Sequence, residues 1–269
     1  LLLQKQNILK LSGKKALVCG STQGIGKATA IALAEMGVNL VLIARNEDKL
    51  KETMAELPTP VSGQIHHYLV ADFSKPADLK KVIDTYIKEG NTINILINNS
   101  GGPKGGPIKD AHVDEFLAAF NQHLICNHIL AQAVYPGMIA AGYGRIINVI
   151  STSVKQPLPN LGVSNTIRGA VASWSKTLAN ELGQYGITVN NVLPGATNTA
   201  RLQSIAQIKA DQHQETVAAV FEEMALETPM KRIAQPEEIA AAIAFLASPD
   251  ASYINGINVP VDGGRTKSL

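Results

Sequence analysis

The chain has 269 residues, 45% hydrophobic and 4% aromatic, with 24 basic against 22 acidic side chains and a formal charge of +2. That length suits one large α/β domain with a sizeable aliphatic core, and residues 1–269 are expected to form a single such domain. Near-neutrality, with no basic run interleaved with aromatics, argues against nucleic acid as a partner.

At the start of the chain, residues 1–3 form a leucine run too short for a signal-peptide core, and polar residues in 4–10 interrupt it. No apolar stretch near the ~18 residues of a membrane span is expected anywhere. Residues 16–19, 40–44, 65–70, 93–97, 145–150, 187–192 and 257–259 read as strands. Their apolar runs are continuous rather than alternating, the pattern of strands covered on both faces. Between them, 24–36, 47–57, 76–89, 113–140, 161–184 and 236–247 read as helices. The β-α-β-α order predicts a doubly wound parallel sheet, a Rossmann fold of about seven strands with helices on both faces. Residues 196–231, mostly helical and polar, are expected to overhang the carboxyl ends of the strands as a substrate lid. Cys19 and Cys126 fall in a strand and a helix, without CxxC or Cys/His spacing. They suggest no metal and no disulfide framework, and a reducing, cytoplasmic setting.

The first strand runs into Gly20-Ser21-Thr22-Gln23-Gly24-Ile25-Gly26, where a helix opens at once. Glycines there permit a sharp turn and bring backbone against a pyrophosphate, while the helix start offers free N–H groups and a positive dipole. The second strand ends in Ala44-Arg45-Asn46. An acid about 20 residues past the glycines would hold a ribose 2′-hydroxyl, whereas Arg45 pairs with a 2′-phosphate, so NADP(H) is the expected cofactor. A solvated arginine at a strand end is the rival reading. Asp72, followed by Phe73, is placed after the third strand to accept a hydrogen bond from an adenine amine; a helix N-cap is its rival, with Ser74 competing for that job.

These residues resemble the short-chain dehydrogenase/reductase family over nearly the whole chain. The glycine run is similar to that family's TGxxxGIG, with Cys19 in place of Thr, and Asn98-Asn99-Ser100-Gly101 is similar to its NNAG. The resemblance continues through Asn190 to Pro194-Gly195, through Thr197 and Thr199 on the nicotinamide side, and from Arg232 to Gly264. It implies a homo-oligomer, typically a tetramer or dimer built on the two long helices. Val171, Trp174 and Leu178 give more apolar surface than one sheet face requires, with ordinary core packing as the alternative.

The family's chemistry uses Asn, Ser and a YxxxK pair. Alignment from both sides puts Ser151 at the catalytic serine, Ser164 at the tyrosine, Arg168 at the lysine and His123 at the asparagine. This SxxxR pattern, with Gly101-Gly102-Pro103 and Lys155-Gln156-Pro157, resembles a divergent branch labelled 3-oxoacyl-acyl-carrier-protein reductase-like. A serine hydroxyl cannot be tuned toward neutrality as a phenol can. Ser151 and Ser164 are therefore expected to donate hydrogen bonds to a developing alkoxide, and Arg168 to hold the nicotinamide ribose. His123 and Lys155 are the candidate proton sources, against a satisfied core histidine and a solvated loop lysine. The expected activity is NADP(H)-dependent interconversion of a small-molecule carbonyl and alcohol. A catalytically silent NADP(H)-binding module, or an epimerase or dehydratase on the same fold, are the alternatives.

Overall fold

The computed structural model describes residues 11–268, so the reading of residues 1–10 lies outside it. Seven strands form one sheet: β1 (Lys15–Cys19), β2 (Asn39–Ala44), β3 (His67–Val70), β4 (Ile95–Asn98), β5 (Gly144–Val149), β6 (Ile187–Pro194) and β7 (Asn258–Val261). All neighbours are parallel, in the order β3-β2-β1-β4-β5-β6-β7. The order reverses between β1 and β4, and in such sheets a ligand crevice opens there, beyond the carboxyl ends. The helices are α1 (Gly24–Glu35), α2 (Glu47–Ala55), α3 (Pro76–Lys88), α4 (Val113–Ala141), α5 (Gly162–Leu182), α6 (Ala200–His213), α7 (Val217–Leu226) and α8 (Pro236–Ala247).

Successive strand residues feed opposite faces, and both faces are buried. Ala16, Val18, Leu40, Leu42, Ile95 and Ile97 pack in one layer with α1 and α8. Leu17, Cys19, Val41, Ile43, Leu96 and Ile146 pack in the other with α3, α4 and α5. This two-sided burial, worth about 1.5–3 kcal/mol for each large aliphatic side chain, is why the strands lack alternation. The edge strand β3 departs from that expectation: His67 and Val70 are exposed, because no strand or helix layer covers an edge completely. Ile65 is 59% exposed and precedes the strand, its N–H held by Asn39 Oδ1 at 2.8 Å rather than by a ladder bond.

One polar line crosses this apolar sheet. Asn98 Nδ2 donates to Asn148 Oδ1 at 2.8 Å, Asn148 Nδ2 to Asn191 Oδ1 at 2.9 Å, and Asn191 Nδ2 to Asn258 Oδ1 at 2.8 Å. The four residues are register partners on β4, β5, β6 and β7. Ser175 on α5 also accepts from Asn148 at 3.2 Å.

The helix α4 corrects one expectation: an 18-residue window of it reaches a mean hydropathy of 1.3, enough by length and composition to cross a membrane. A third of that window is buried, and Leu130, Ala131, Val134 and Met138 pack it on the sheet. Asn121, Gln122 and His123 stand inside the helix, where one π turn (Asn121–Ile125) interrupts the α-helical ladder. Of the three residues read as surplus apolar surface, Val171 is fully buried, whereas Trp174 and Leu178 are half-buried against the core, Trp174 Nε1 donating to His128 Nδ1 at 3.3 Å. The exposed apolar stripe lies instead on α4, at Val113 (73% exposed), Leu117 (56%) and Phe120.

Candidate active site

A cleft of about 630 Å³ opens beyond the carboxyl ends of the strands. Its first wall is the turn from β1 into α1. Gly20 has φ +59° and Gly24 φ +53°, conformations that side chains disfavour. A Cβ on Gly26 would lie 2.1 Å from the Gly20 carbonyl oxygen, so the helix start packs directly on the turn. Asn99 braces it, its Nδ2 donating to the Cys19 and Gly20 carbonyls at 3.2 and 3.4 Å. Gln23, at the N-cap of α1, makes no side-chain cap bond and no acid occupies the first turn. The first N–H groups of α1 therefore keep their donors and dipole for an anion, and the glycine cradle fits a dinucleotide diphosphate.

Thr22, Gln23, Gly24 and Ile25 line the cleft, while Ser21 is buried beneath it with an unpaired Oγ among the described residues. Arg45 lines the far end, exposed at the tip of β2. Asn46 does something else: its Oδ1 accepts from the Lys49 N–H at 2.9 Å and caps α2. Asp72 and Phe73 line the cleft beside Arg45. The Asp72 Oδ1 accepts from the Ser74 N–H at 2.9 Å, and hydrogen bonding to Ser74 pulls its carboxyl below the ordinary range. Neither Asp72 nor Ser74 caps α3, whose N-cap is Lys75.

Beyond the turn the cleft brings together Ser100, Gly101, Ser151, Ser164, Arg168, Pro194, Gly195 and Thr197 at its other end, while Thr199 lies against Gly24. Asn98 stays out, committed to the amide line across the sheet. Ser151 Oγ accepts from the Ser153 N–H at 3.1 Å, which leaves its own O–H to donate. Arg168 is 7% exposed and donates Nη1 to the Val149 carbonyl at 3.1 Å. Burial lowers the guanidinium to about 10, still charged at neutral pH. Thr199 Oγ1 accepts from the Leu202 N–H at 3.3 Å and caps α6.

His123 sits behind this end, 1% exposed, in the π turn of α4. Its Nδ1 shares a 2.7 Å hydrogen bond with Ser100 Oγ, and its Nε2 has no partner among the described residues. Burial, then the charge of Arg168, pushes its pKa down to about 2. The ring is neutral at physiological pH and holds no acidic proton, unlike the free imidazole assumed from sequence. Unfolded, it titrates near ~6.5, so the unfolded chain binds a proton that the fold refuses. The stability His123 contributes is complete above ~6.5 and falls toward pH 2 by up to about 1.4 kcal/mol per pH unit. Denaturant unfolding of wild type and His123→Asn between about pH 5 and about pH 7 should show a flatter acid limb in the variant. Equal slopes would refute the burial argument. Lys155 is absent from the cleft lining, and its backbone closes the short turn Thr152–Val154.

Sequence reasoning did not single out Gln122, Leu161 or Arg201, which also line the cleft together with Leu202 and Ile205 of the expected lid. Gln122 Nε2 donates to the Gly101 carbonyl at 2.9 Å, and Arg201 Nη2 to the Pro103 carbonyl at 2.7 Å. The Gly102-Pro103 pair was the available signal for this contact region, but nothing local tied it to Arg201.

The family model described as enoyl-(acyl carrier protein) reductase matches residues 20–266. Glucose 1-dehydrogenase of Gluconobacter oxydans is 35% identical over 96% of this chain and 93% of its own. The 3-oxoacyl-[acyl-carrier-protein] reductase FabG of Vibrio cholerae is 32% identical over 95% of this chain and 98% of its own. Among solved structures, L-sorbose reductase from Gluconobacter frateurii, complexed with NADPH and L-sorbose, superposes with a TM-score of 0.89. It is 32% identical and covers 96% of this chain and 98% of that one. With the family model matched over nearly its whole length and relatives above 30% identical along almost all of it, the chain belongs to the short-chain dehydrogenase/reductase family of oxidoreductases.

Proposed function

We propose that the protein interconverts a small-molecule carbonyl and its alcohol with NADP(H), through Ser151, Ser164 and Arg168 in place of the family's Ser, Tyr and Lys. The observation that carries this is one cleft holding the glycine turn and Arg45 at one end and those three residues at the other. Bound NADP(H) supplies or accepts the hydride. The turn and the open start of α1 hold its diphosphate, Arg45 its 2′-phosphate, and Arg168 its nicotinamide ribose. Thr197 and Thr199 border the nicotinamide. Ser151 and Ser164 donate hydrogen bonds to the reacting oxygen, which stabilises charge as it develops there, and solvent water in the open cleft delivers the proton that completes the alcohol and takes it back in the reverse direction. His123, neutral and tied to Ser100, orients that hydroxyl rather than acting as a charged acid.

Residues 196–231 form the lid of one catalytic domain. Its helices α6 and α7 share a small core of Ala206, Ala210, Val220 and Met224, so they can move as a unit. Both cysteines are buried and free, which supports a reducing, cytoplasmic compartment. The stripe Val113, Leu117 and Phe120 supports a homo-oligomer joined through α4. Light scattering giving a mass near 28.5 kDa would exclude that assembly.

The test of the cofactor reading is direct titration. Arg45→Asp should weaken NADPH binding by about 2 kcal/mol or more, since a repelling charge replaces a phosphate partner. Wild type that binds NADH as tightly as NADPH would reject the assignment. A second reading, a silent NADP(H)-binding module, is favoured by the neutral His123 and by Ser164 where a phenol would serve. Turnover of any member of a broad carbonyl panel by the wild type decides against it.

A further inference from the structure

The lid end of the cleft carries more positive charge than the dinucleotide accounts for. Arg45 stands at the far end beside Asp72, which is the one acidic side chain lining the cleft among the described residues. Arg168 forms part of the floor, and Arg201 on α6 lines the same cleft with Leu161, Leu202 and Ile205. Among the described residues, no carboxylate lines this end to offset the two guanidinium groups.

Helix stability does not explain Arg201. It lies in the first turn of α6, where the helix dipole disfavours a cation, and no acid in that turn offsets it. Its recorded hydrogen bond goes to a neutral group, the Pro103 carbonyl, across the cleft mouth. A guanidinium has five N–H donors, and that bond uses one of them. The side chain is thus held at one edge, with donors left for a planar anion. Arg201 is exposed at the rim, within reach of an incoming substrate, and the half-buried Leu161, Leu202 and Ile205 line the same cleft.

We propose that Arg201 anchors a carboxylate on the substrate, which makes the substrate class oxo acids and their hydroxy-acid counterparts. The inference rests on the oxidoreductase reading of this cleft and adds to it the group by which the substrate is recognised. The rival anion is the dinucleotide's own diphosphate, because the Thr199 methyl, two residues before Arg201, lies 3.1 Å from where a Gly24 Cβ would be. The open start of α1 already serves that diphosphate, and the experiment separates the two.

Pyruvate, acetoacetate and levulinate, each beside its methyl ester, are compared in NADPH oxidation by wild type, Arg201→Gln and Arg201→Lys. Wild type should favour at least one acid over its ester in kcat/KM. That acid-to-ester ratio should fall about tenfold or more in Arg201→Gln and recover in part in Arg201→Lys, whose charge lacks the bidentate fork. The same acids and esters are titrated calorimetrically into the enzyme–NADP+ complex, so the anchor is tested even without turnover. A carboxylate preference in binding that needs Arg201, with nothing reduced, supports the anchor and sinks only the oxidoreductase reading. Equal treatment of acids and esters in both assays, or preference for the esters, overturns the anchor. A loss of NADPH affinity of about tenfold or more in Arg201→Gln also overturns it, and assigns Arg201 to the diphosphate.

Discussion

Gly26→Ala should cost the protein its tight hold on NADPH while leaving most of the sheet intact. The added Cβ would stand 2.1 Å from the Gly20 carbonyl oxygen, 2.7 Å from Asn99 Nδ2 and 2.8 Å from the Gly20 carbonyl carbon. Two of those neighbours are backbone and the third is the brace of the same turn, so none yields by a rotamer change. The start of α1 must lift from the turn, and overpacking of this kind costs about 1–3 kcal/mol. Lifting also spoils the aim of the N–H groups at the diphosphate, so NADPH affinity should fall by about 10–100-fold. Gly63→Ala is the control. Its φ of +80° imposes strain, but nothing lies within 4 Å of the new Cβ and it is remote from the cleft lining. It should lower the melting temperature slightly and leave NADPH titration unmoved. If Gly26→Ala binds NADPH as wild type does, the turn is not the diphosphate seat.

The second large effect is expected at the reacting oxygen. Ser151→Ala removes a donor and should lower kcat by ~10²–10³ with NADPH affinity nearly unchanged, the signature of a group that acts in the transition state. Arg168→Ala should behave differently. It removes a buried cation whose Nη1 holds the Val149 carbonyl, so cofactor affinity and stability should fall along with kcat. Steady-state kinetics beside NADPH titration and thermal unfolding distinguish the two patterns. Should Ser151→Ala weaken NADPH binding as much as it lowers kcat, Ser151 is a cofactor contact and not an oxyanion donor.

The architecture was legible because its signals are local. Continuous apolar runs mark strands buried on both sides, and Gly20, Gly24 and Gly26 mark a turn that closes only without side chains. The exceptions at the site have an equally physical origin. Asn46 and Asn98 occupy motif positions, yet each finds a partner outside the cleft: an N–H three residues on for Asn46, an asparagine on the next strand for Asn98. The strand pattern does not reveal which hydrogen bond wins. The π turn of α4 leaves its apolar periodicity nearly unchanged, so the burial of His123 was hidden. Its proton affinity depends on that burial and on Arg168, which comes from another helix. Arg201 was missed because its partner, the Pro103 carbonyl, is 98 residues away.

The line of asparagines across the sheet has a bearing on the cleft itself. Its rungs lie just before the functional segments: Ser100 comes two residues after Asn98, Ser151 three after Asn148, and Pro194 three after Asn191. The three amide bonds all run in the same direction, from β4 toward β7, so Asn148, Asn191 and Asn258 each accept from the strand before. A slip of one residue between two strands would carry one of them along by about 3.3 Å and turn its amide to the opposite face. The line is in effect a common datum, a buried ruler mark from which three separate strands reach the chemistry within two or three residues. Alignment of Ser100, Ser151 and Pro194 is then fixed inside the sheet, and the loops that carry them can vary in sequence without losing their mutual positions.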